Sequence, residues 1–381
     1  MKLEDQLAMK QLVVFLGTGG VGKTTVAAAA AYHASQGRKT LVLTIDPARR
    51  LADALGVKLG SEPVEVTPNF HAQMLDTKAA LDKLITRYAP SPEVLRRIFA
   101  SKFYQQLSDA FAGSEEFVAM GTLHDILQDG KYDLVVVDTP PSKHAVDFLA
   151  TNAKLIRVFE SGLVKYLFKP TKFLRLGSGY LANVLARWTS QEYLKEVADF
   201  MGTFDQMFLD MEKRVRAMQA ILVDRQRTSL NIVTSAEYES IPMTQGLYNE
   251  VTKELKLRVD ACIVNRYLPR LKGMEAVVDL REDKAFRQGA VRRVTEATGA
   301  NAEDAEAFIL DAVRAAQFYE VLATQHETNV RALQASVSAE FHFIPALPHS
   351  VHTLEGLRAI SEHLLGRPGA RSGSVPASAN P

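Results

Sequence analysis

Short, uninterrupted apolar runs recur along the chain, each too brief to be a helix. Leu12–Leu16 (LVVFL) is β-branched and aromatic, and predicts a strand buried on both faces. After Gly37, which ends the preceding helix, Lys39–Ile45 (KTLVLTI) predicts a second buried strand. Phe70–Leu75 predicts a weaker strand, and Leu134–Val137, running into Asp138, a fully buried one. Leu230–Thr234 and Val259–Val264 predict two more, with a helix between them from about Met243 to Leu257. Phe341–Ile344 predicts a last, edge strand before Pro345 and Pro348.

Between these runs the apolar spacing changes to three and four residues, the helical repeat. Val26 and the alanines Ala27–Ala31 start a helix directly after the first strand. The chain is mostly helical from about Lys78 to Gln128, and helical and unusually apolar from Ala150 to about Leu222. From Tyr193 to Leu222 the apolar positions form an amphipathic stripe holding Met201, Met207, Met211 and Met218, four of the ten methionines. Such a stripe serves either as gap-filling core or as an adaptable groove for apolar helices of a partner. Residues 272–334 combine helical spacing with mixed charge and predict solvated helices, and 353–365 predict a final helix. The stretch 366–381 is rich in Gly, Ser, Pro and Ala and predicts disorder.

The link between the first strand and its helix carries the chemistry. Gly17-Thr18-Gly19-Gly20-Val21-Gly22-Lys23-Thr24-Thr25 fits G-x-x-x-x-G-K-[ST] in the strand–loop–helix setting that gives this motif its mechanism. Backbone N–H groups of Gly19, Gly20, Val21 and Gly22 would cradle phosphate at the positive end of the helix. Lys23 would reach the β/γ-oxygens, the Thr24 hydroxyl would ligate Mg²⁺, and Thr25 would donate to the α-phosphate. Two carboxylates lie just past buried strands: Asp46, in Asp46-Pro47-Ala48, and Asp138, which would hold Mg²⁺ through water. The fold predicted is α/β: a P-loop NTPase with a mostly parallel sheet flanked by helices and an inserted all-helical subdomain. A single domain spans 1–365, its strands in about 11–76, 130–149, 228–268 and 340–365. The helical subdomain covers about 78–128 and 150–225.

Composition narrows the class. The net charge of +1 gives no field toward nucleic acid, and no apolar run reaches membrane-spanning length. A charged Met1–Asp5 start and a single cysteine, Cys262, predict a cytoplasmic protein without disulfides or a Cys-pair zinc site.

The form G-x-G-G-V-G-K-T-T resembles the deviant Walker A of the ParA/MinD, nitrogenase iron-protein and ArsA ATPases. Within that class the chain is similar to the ArsA family, which includes anion-pump ATPases and the ATPase that targets tail-anchored membrane proteins. Asp46-Pro47-Ala48 resembles the family's switch I, and Asp138-Thr139-Pro140-Pro141-Ser142-Lys143-His144 its switch II. Asn265-Arg266, after a buried strand, resembles the family's adenine-recognising Asn, and the likeness covers most of residues 11–365. The resemblance implies ATP and Mg²⁺ as cofactors. It makes Lys23, Asp46 and Asp138 the catalytic set, with Asp46 positioning or activating the attacking water. Asn265, with Arg266, would bind adenine, whereas His144 is at least as well explained by packing.

Three departures qualify this. Thr18 stands where the family has a signature Lys that reaches across a dimer, so Arg49, Arg50 or a Lys-bearing partner would have to replace it. Cys262 alone builds no three-thiolate metalloid site. The chain is a single half, so a closed nucleotide sandwich needs a second subunit, identical or a paralogue. The expectation is a Mg-dependent ATPase working as a nucleotide-gated dimer, gripping a hydrophobic client segment through its helical subdomain. It does not involve nucleic acid or stable membrane insertion. The alternative is a catalytically weak regulatory subunit paired with a Lys-bearing paralogue. A ParA/MinD-like positioning ATPase ranks third, since it would require a basic DNA-binding face or a C-terminal amphipathic membrane helix.

Overall fold

The computed structural model describes residues 2–46, 48–89, 91–101, 104, 115–160, 210, 212–347 and 353–365. Its centre is one eight-stranded sheet, β1 (Leu12–Gly17), β2 (Thr40–Thr44), β3 (Val64–Thr67), β4 (Phe70–Met74), β5 (Leu134–Asp138), β6 (Thr228–Ser235), β7 (Ala261–Tyr267) and β8 (Glu340–Pro345). The spatial order is β3-β4-β2-β5-β1-β6-β7-β8. Neighbouring strands run parallel except β3 and β4. The fold is the α/β one that the strand–helix alternation predicts.

The six residues of β1 are all buried because helices cover both faces of the sheet. Val13 and Phe15 enter one apolar cluster with the alanines of the helix Lys23–Ala34 and with Leu357 and Ile360 of the helix Leu354–Leu364. Leu12, Val14 and Leu16 enter the other, with Leu123, Phe148 and Met218. Each such side chain contributes roughly 1.5–3 kcal/mol by burial. The alanine-rich helix is buried nearly all round, and its small side chains let it lie between the sheet and the helix Leu354–Leu364.

On the second face lie the helices Thr77–Tyr88, Glu115–Gln128 and Ser142–Glu160 and the helical stretch 212–223. A cavity of about 250 Å³, lined by Gln73, Leu84, Val118, Ile126 and Arg214 among others, opens between these helices and the β4 side of the sheet. No P-loop residue lines it.

Some elements differ from expectation. The helix Leu3–Met9 and the strand β3 were not predicted. β3 forms a bulged antiparallel hairpin with β4, turned at Asn69 with φ 64°. The helix expected over 243–257 is the helix Ser240–Asn249 running on into a π-turn, Glu250–Glu254. The charged region 272–334 forms the helices Met274–Glu282, Lys284–Thr298 and Ala302–Ser336. It is only partly solvated: Ile309, Val313, Val330 and Leu333 of the long helix are buried. Met218 lies fully buried in the core. Met201, Met207, Met211 and most of the Tyr193–Leu222 stripe lie outside the described residues, as do Pro47, Pro348 and 366–381, and so does the side chain of His144.

Candidate nucleotide site

Three strand ends meet at one point of the sheet. β5 pairs with both β1 and β2, with Asp138 level with Phe15 and Thr44, so the P-loop, Asp46 and Asp138 share the carboxyl edge. Between β1 and its helix, Gly20 and Gly22 take φ 79° and 85°. Left-handed residues in such a loop let successive N–H groups converge on one concavity, and the first turn of the helix adds its unpaired N–H groups. A Cβ on Gly17 would lie 2.4 Å from the Val233 carbonyl oxygen, so only glycine permits the pairing of β1 and β6 at that level.

At Gly22 a Cβ would meet Asn265 Nδ2 at 2.3 Å in addition to the left-handed strain. Gly22→Ala is therefore expected to destabilise the nucleotide-free protein by roughly 1–2 kcal/mol or more. Gly19→Ala, whose Cβ meets nothing within 4 Å, should leave the urea midpoint unchanged. Equal midpoints for the two variants would contradict this geometry.

Lys23 is buried, with Nζ 3.8 Å from Asp138 Oδ1. Asp138 has no exposed surface, and the Thr44 hydroxyl donates to its Oδ2 at 3.0 Å. Burial holds this carboxyl above its ordinary pKa. The Lys23 charge and the Thr24 and Thr44 hydroxyls pull it down without reversing that, and the nearby Asp46 pushes it further up. Oδ1 is buried and has no hydrogen-bond partner.

A buried carboxylate oxygen with unmet lone pairs, near the Thr24 hydroxyl, is the hard donor set that suits Mg²⁺ held through water. Among the described residues no three His, Cys, Asp or Glu side chains cluster as a metal cage. Phosphate oxygens and water usually complete the shell of this ion.

Asp46 is buried just beyond β2. The Ala48 N–H donates to its Oδ1 at 2.9 Å, and Arg50 Nη1 donates to its Oδ2 at 3.1 Å. Arg50, offered by the sequence as a spare cation, is thus engaged by Asp46. Arg49, at the start of the helix Arg50–Leu55, is exposed, and Thr18 is buried.

Asn265 and Arg266 lie near the end of β7. Asn265 Nδ2 donates to the Val21 carbonyl at 2.8 Å, and Arg266 Nη2 to the Gly20 carbonyl at 2.6 Å. In this structure both side chains are fastened to the outside of the P-loop. Cys262 is buried within β7 and its thiol is pushed up to about 12, so it is not a thiolate at neutral pH.

A Gly-rich cradle at the end of the first strand, with carboxylates at the next two strand ends on one side, defines a P-loop nucleotide-binding protein. The family model described as anion-transporting ATPase matches residues 10–297. The chain belongs to this family and is an ATPase. It is 29% identical to ATPase ASNA1 homolog 1 of Paramecium tetraurelia, over 66% of this chain and 73% of that one. It is 26% identical to a Chlorobaculum tepidum protein provisionally named arsenical pump-driving ATPase, over 70% and 65%. With ATPase GET3 of Malassezia globosa it shares 28% identity, over 65% and 70%. No helix among the described residues is long and apolar enough to cross a membrane.

Proposed function

We propose that the protein is a Mg-dependent ATPase that works as a nucleotide-gated dimer and handles a hydrophobic protein segment. The observation that carries the ATPase chemistry is Asp138 Oδ1, buried without a hydrogen-bond partner 3.8 Å from Lys23 Nζ. In this reading Lys23 neutralises the β/γ-oxygens, Thr24 and Asp138 hold Mg²⁺, and the ion supplies charge neutralisation at the transferring phosphoryl group. Asp46 orients the attacking water. Arg50 first has to release it; the Arg50 side chain is 58% exposed, whereas Asp46 is buried.

The dimer is supported by the family likeness and by Thr18, which supplies no charge where the family has its signature Lys. Arg50 is paired with Asp46 in its own subunit, and Arg49 beside it is exposed. Thr18 also supports a second reading, a slow regulatory subunit completed by a Lys-bearing paralogue. The client remains a proposal, resting on the Met-rich stripe and on relatives of the GET3 and ASNA1 type.

Turnover of the purified chain over a concentration series separates the two readings. A homodimer gives specific activity that rises steeply with concentration and falls several-fold in Arg49→Ala with Arg50→Ala. ATP binding without turnover at any concentration overturns the homodimer and favours the paralogue.

A further inference from the structure

A loop that turns its N–H groups inward to a phosphate must turn carbonyls outward, and a buried outward carbonyl needs a donor. Here the donors come from β7, two places from β1 across β6 in the sheet. Asn265, 7% exposed, gives its amide N–H to the carbonyl of the buried Val21, and the Arg266 guanidinium gives one to the carbonyl of Gly20, in a bond exposed to solvent.

Several features show this end of β7 to be built for the contact. Arg266 holds φ 55°, a left-handed angle that a side chain adopts only under constraint. Gly22 leaves free the space that a Cβ would take from the Asn265 amide.

The residues that follow are anchored to the long helix Ala302–Ser336. His326 Nδ1 accepts from the Leu268 N–H at 3.2 Å, and the Tyr319 hydroxyl donates to the Pro269 carbonyl at 3.0 Å. Arg270 pairs with Glu320 and Glu327. The donors therefore stand on a fixed platform, and the platform sets where the loop carbonyls point.

We propose that Asn265 and Arg266 are positioning residues for the polyphosphate, clamping the P-loop in its anion-binding shape, and that they act the same way whatever base the nucleotide carries. This rests on the reading of residues 17–25 as a phosphate cradle. It is distinct from adenine recognition by Asn265: one amide N–H is taken by the Val21 carbonyl, and only the second N–H and Oδ1 could meet a base.

The test uses the full chain and three probes, ATP, GTP and inorganic tripolyphosphate, each with Mg²⁺, titrated by calorimetry. Asn265→Asp keeps the side chain's shape, removes the N–H donor and faces the carbonyl with a charge. Affinity for all three probes is expected to fall by a common factor of about tenfold or more, the loss of one buried hydrogen bond. Arg266→Ala should show the same base-independent pattern, with Arg266→Lys recovering part of the affinity.

A loss confined to ATP, with tripolyphosphate unchanged, overturns the clamp and returns Asn265 to the base. So does unchanged affinity for all three. If Asn265→Asp fails to fold, the exposed Arg266 pair carries the test by itself. Wild-type protein that binds none of the probes refutes the proposed function instead.

Discussion

Replacing Lys23 with alanine is expected to lower ATP turnover by at least roughly 10²–10³-fold, the scale of losing one preorganised charge at a phosphoryl-transfer site, and to weaken nucleotide binding by at least about tenfold, the loss of one charge-assisted hydrogen bond. The Lys23 side chain is 5% exposed and stands at the first residue of the helix Lys23–Ala34, followed by Thr24, Thr25 and Val26. Lys23→Arg should not rescue: the bulkier, planar guanidinium has no room at a buried point-charge site. Calorimetric titration with ATP alongside a phosphate-release assay reads both effects. Retention of more than a tenth of wild-type affinity in Lys23→Ala would place the phosphates elsewhere.

Asp138→Asn should separate function from stability. Turnover is expected to fall at least 10²-fold, because the amide no longer offers an anionic oxygen to hold the metal's water. Stability of the nucleotide-free protein at neutral pH should be unchanged or higher. The sign follows from linkage: burial raises the folded pKa of Asp138, so the folded state takes up this proton more readily than the unfolded chain does. The ionised carboxylate therefore opposes folding at neutral pH, and that opposition fades as pH falls through the raised folded pKa toward the unfolded value of 3.8. The attraction of Lys23 at 3.8 Å reduces this penalty without cancelling it. Thermal melts of both proteins at neutral pH decide the matter. A melting point several degrees lower in the variant would mean that the ion pair outweighs the cost of burial.

The parts of the fold legible from sequence were those where one physical requirement dominates. β1, β2 and β5 lie between two helical layers, and a strand buried on both faces has to be an apolar run. The P-loop was legible because its glycines are fixed by close approaches, to the Val233 carbonyl at Gly17 and to Asn265 at Gly22. β3 was missed because Val-Glu-Val-Thr is short and only half buried. The turn that pairs it with β4 was signalled by Asn69, a residue tolerant of its left-handed angle.

The helix Leu3–Met9 escaped because it is only seven residues long. Leu3 and Leu7 join the core, and Gln6 accepts from the buried Ser229 hydroxyl at 2.5 Å, a distant contact that no local pattern announces. Arg50 illustrates the same limit within the site. A cation after switch I reads as available, and only the folded chain shows it bonded to Asp46 four residues earlier.

The bond between Val21 and Asn265 joins residues 244 positions apart. At roughly 5–20 residues per second of synthesis, on the order of 10–50 s separate the making of the loop from the making of its fastener. Through the second half of that interval the nascent chain carries the whole glycine motif, Asp46 and Asp138, yet lacks the donors that bond the loop's carbonyls. If the proposed clamp holds, nucleotide is a weak template early in folding, and a product truncated before β7 would compete poorly for ATP.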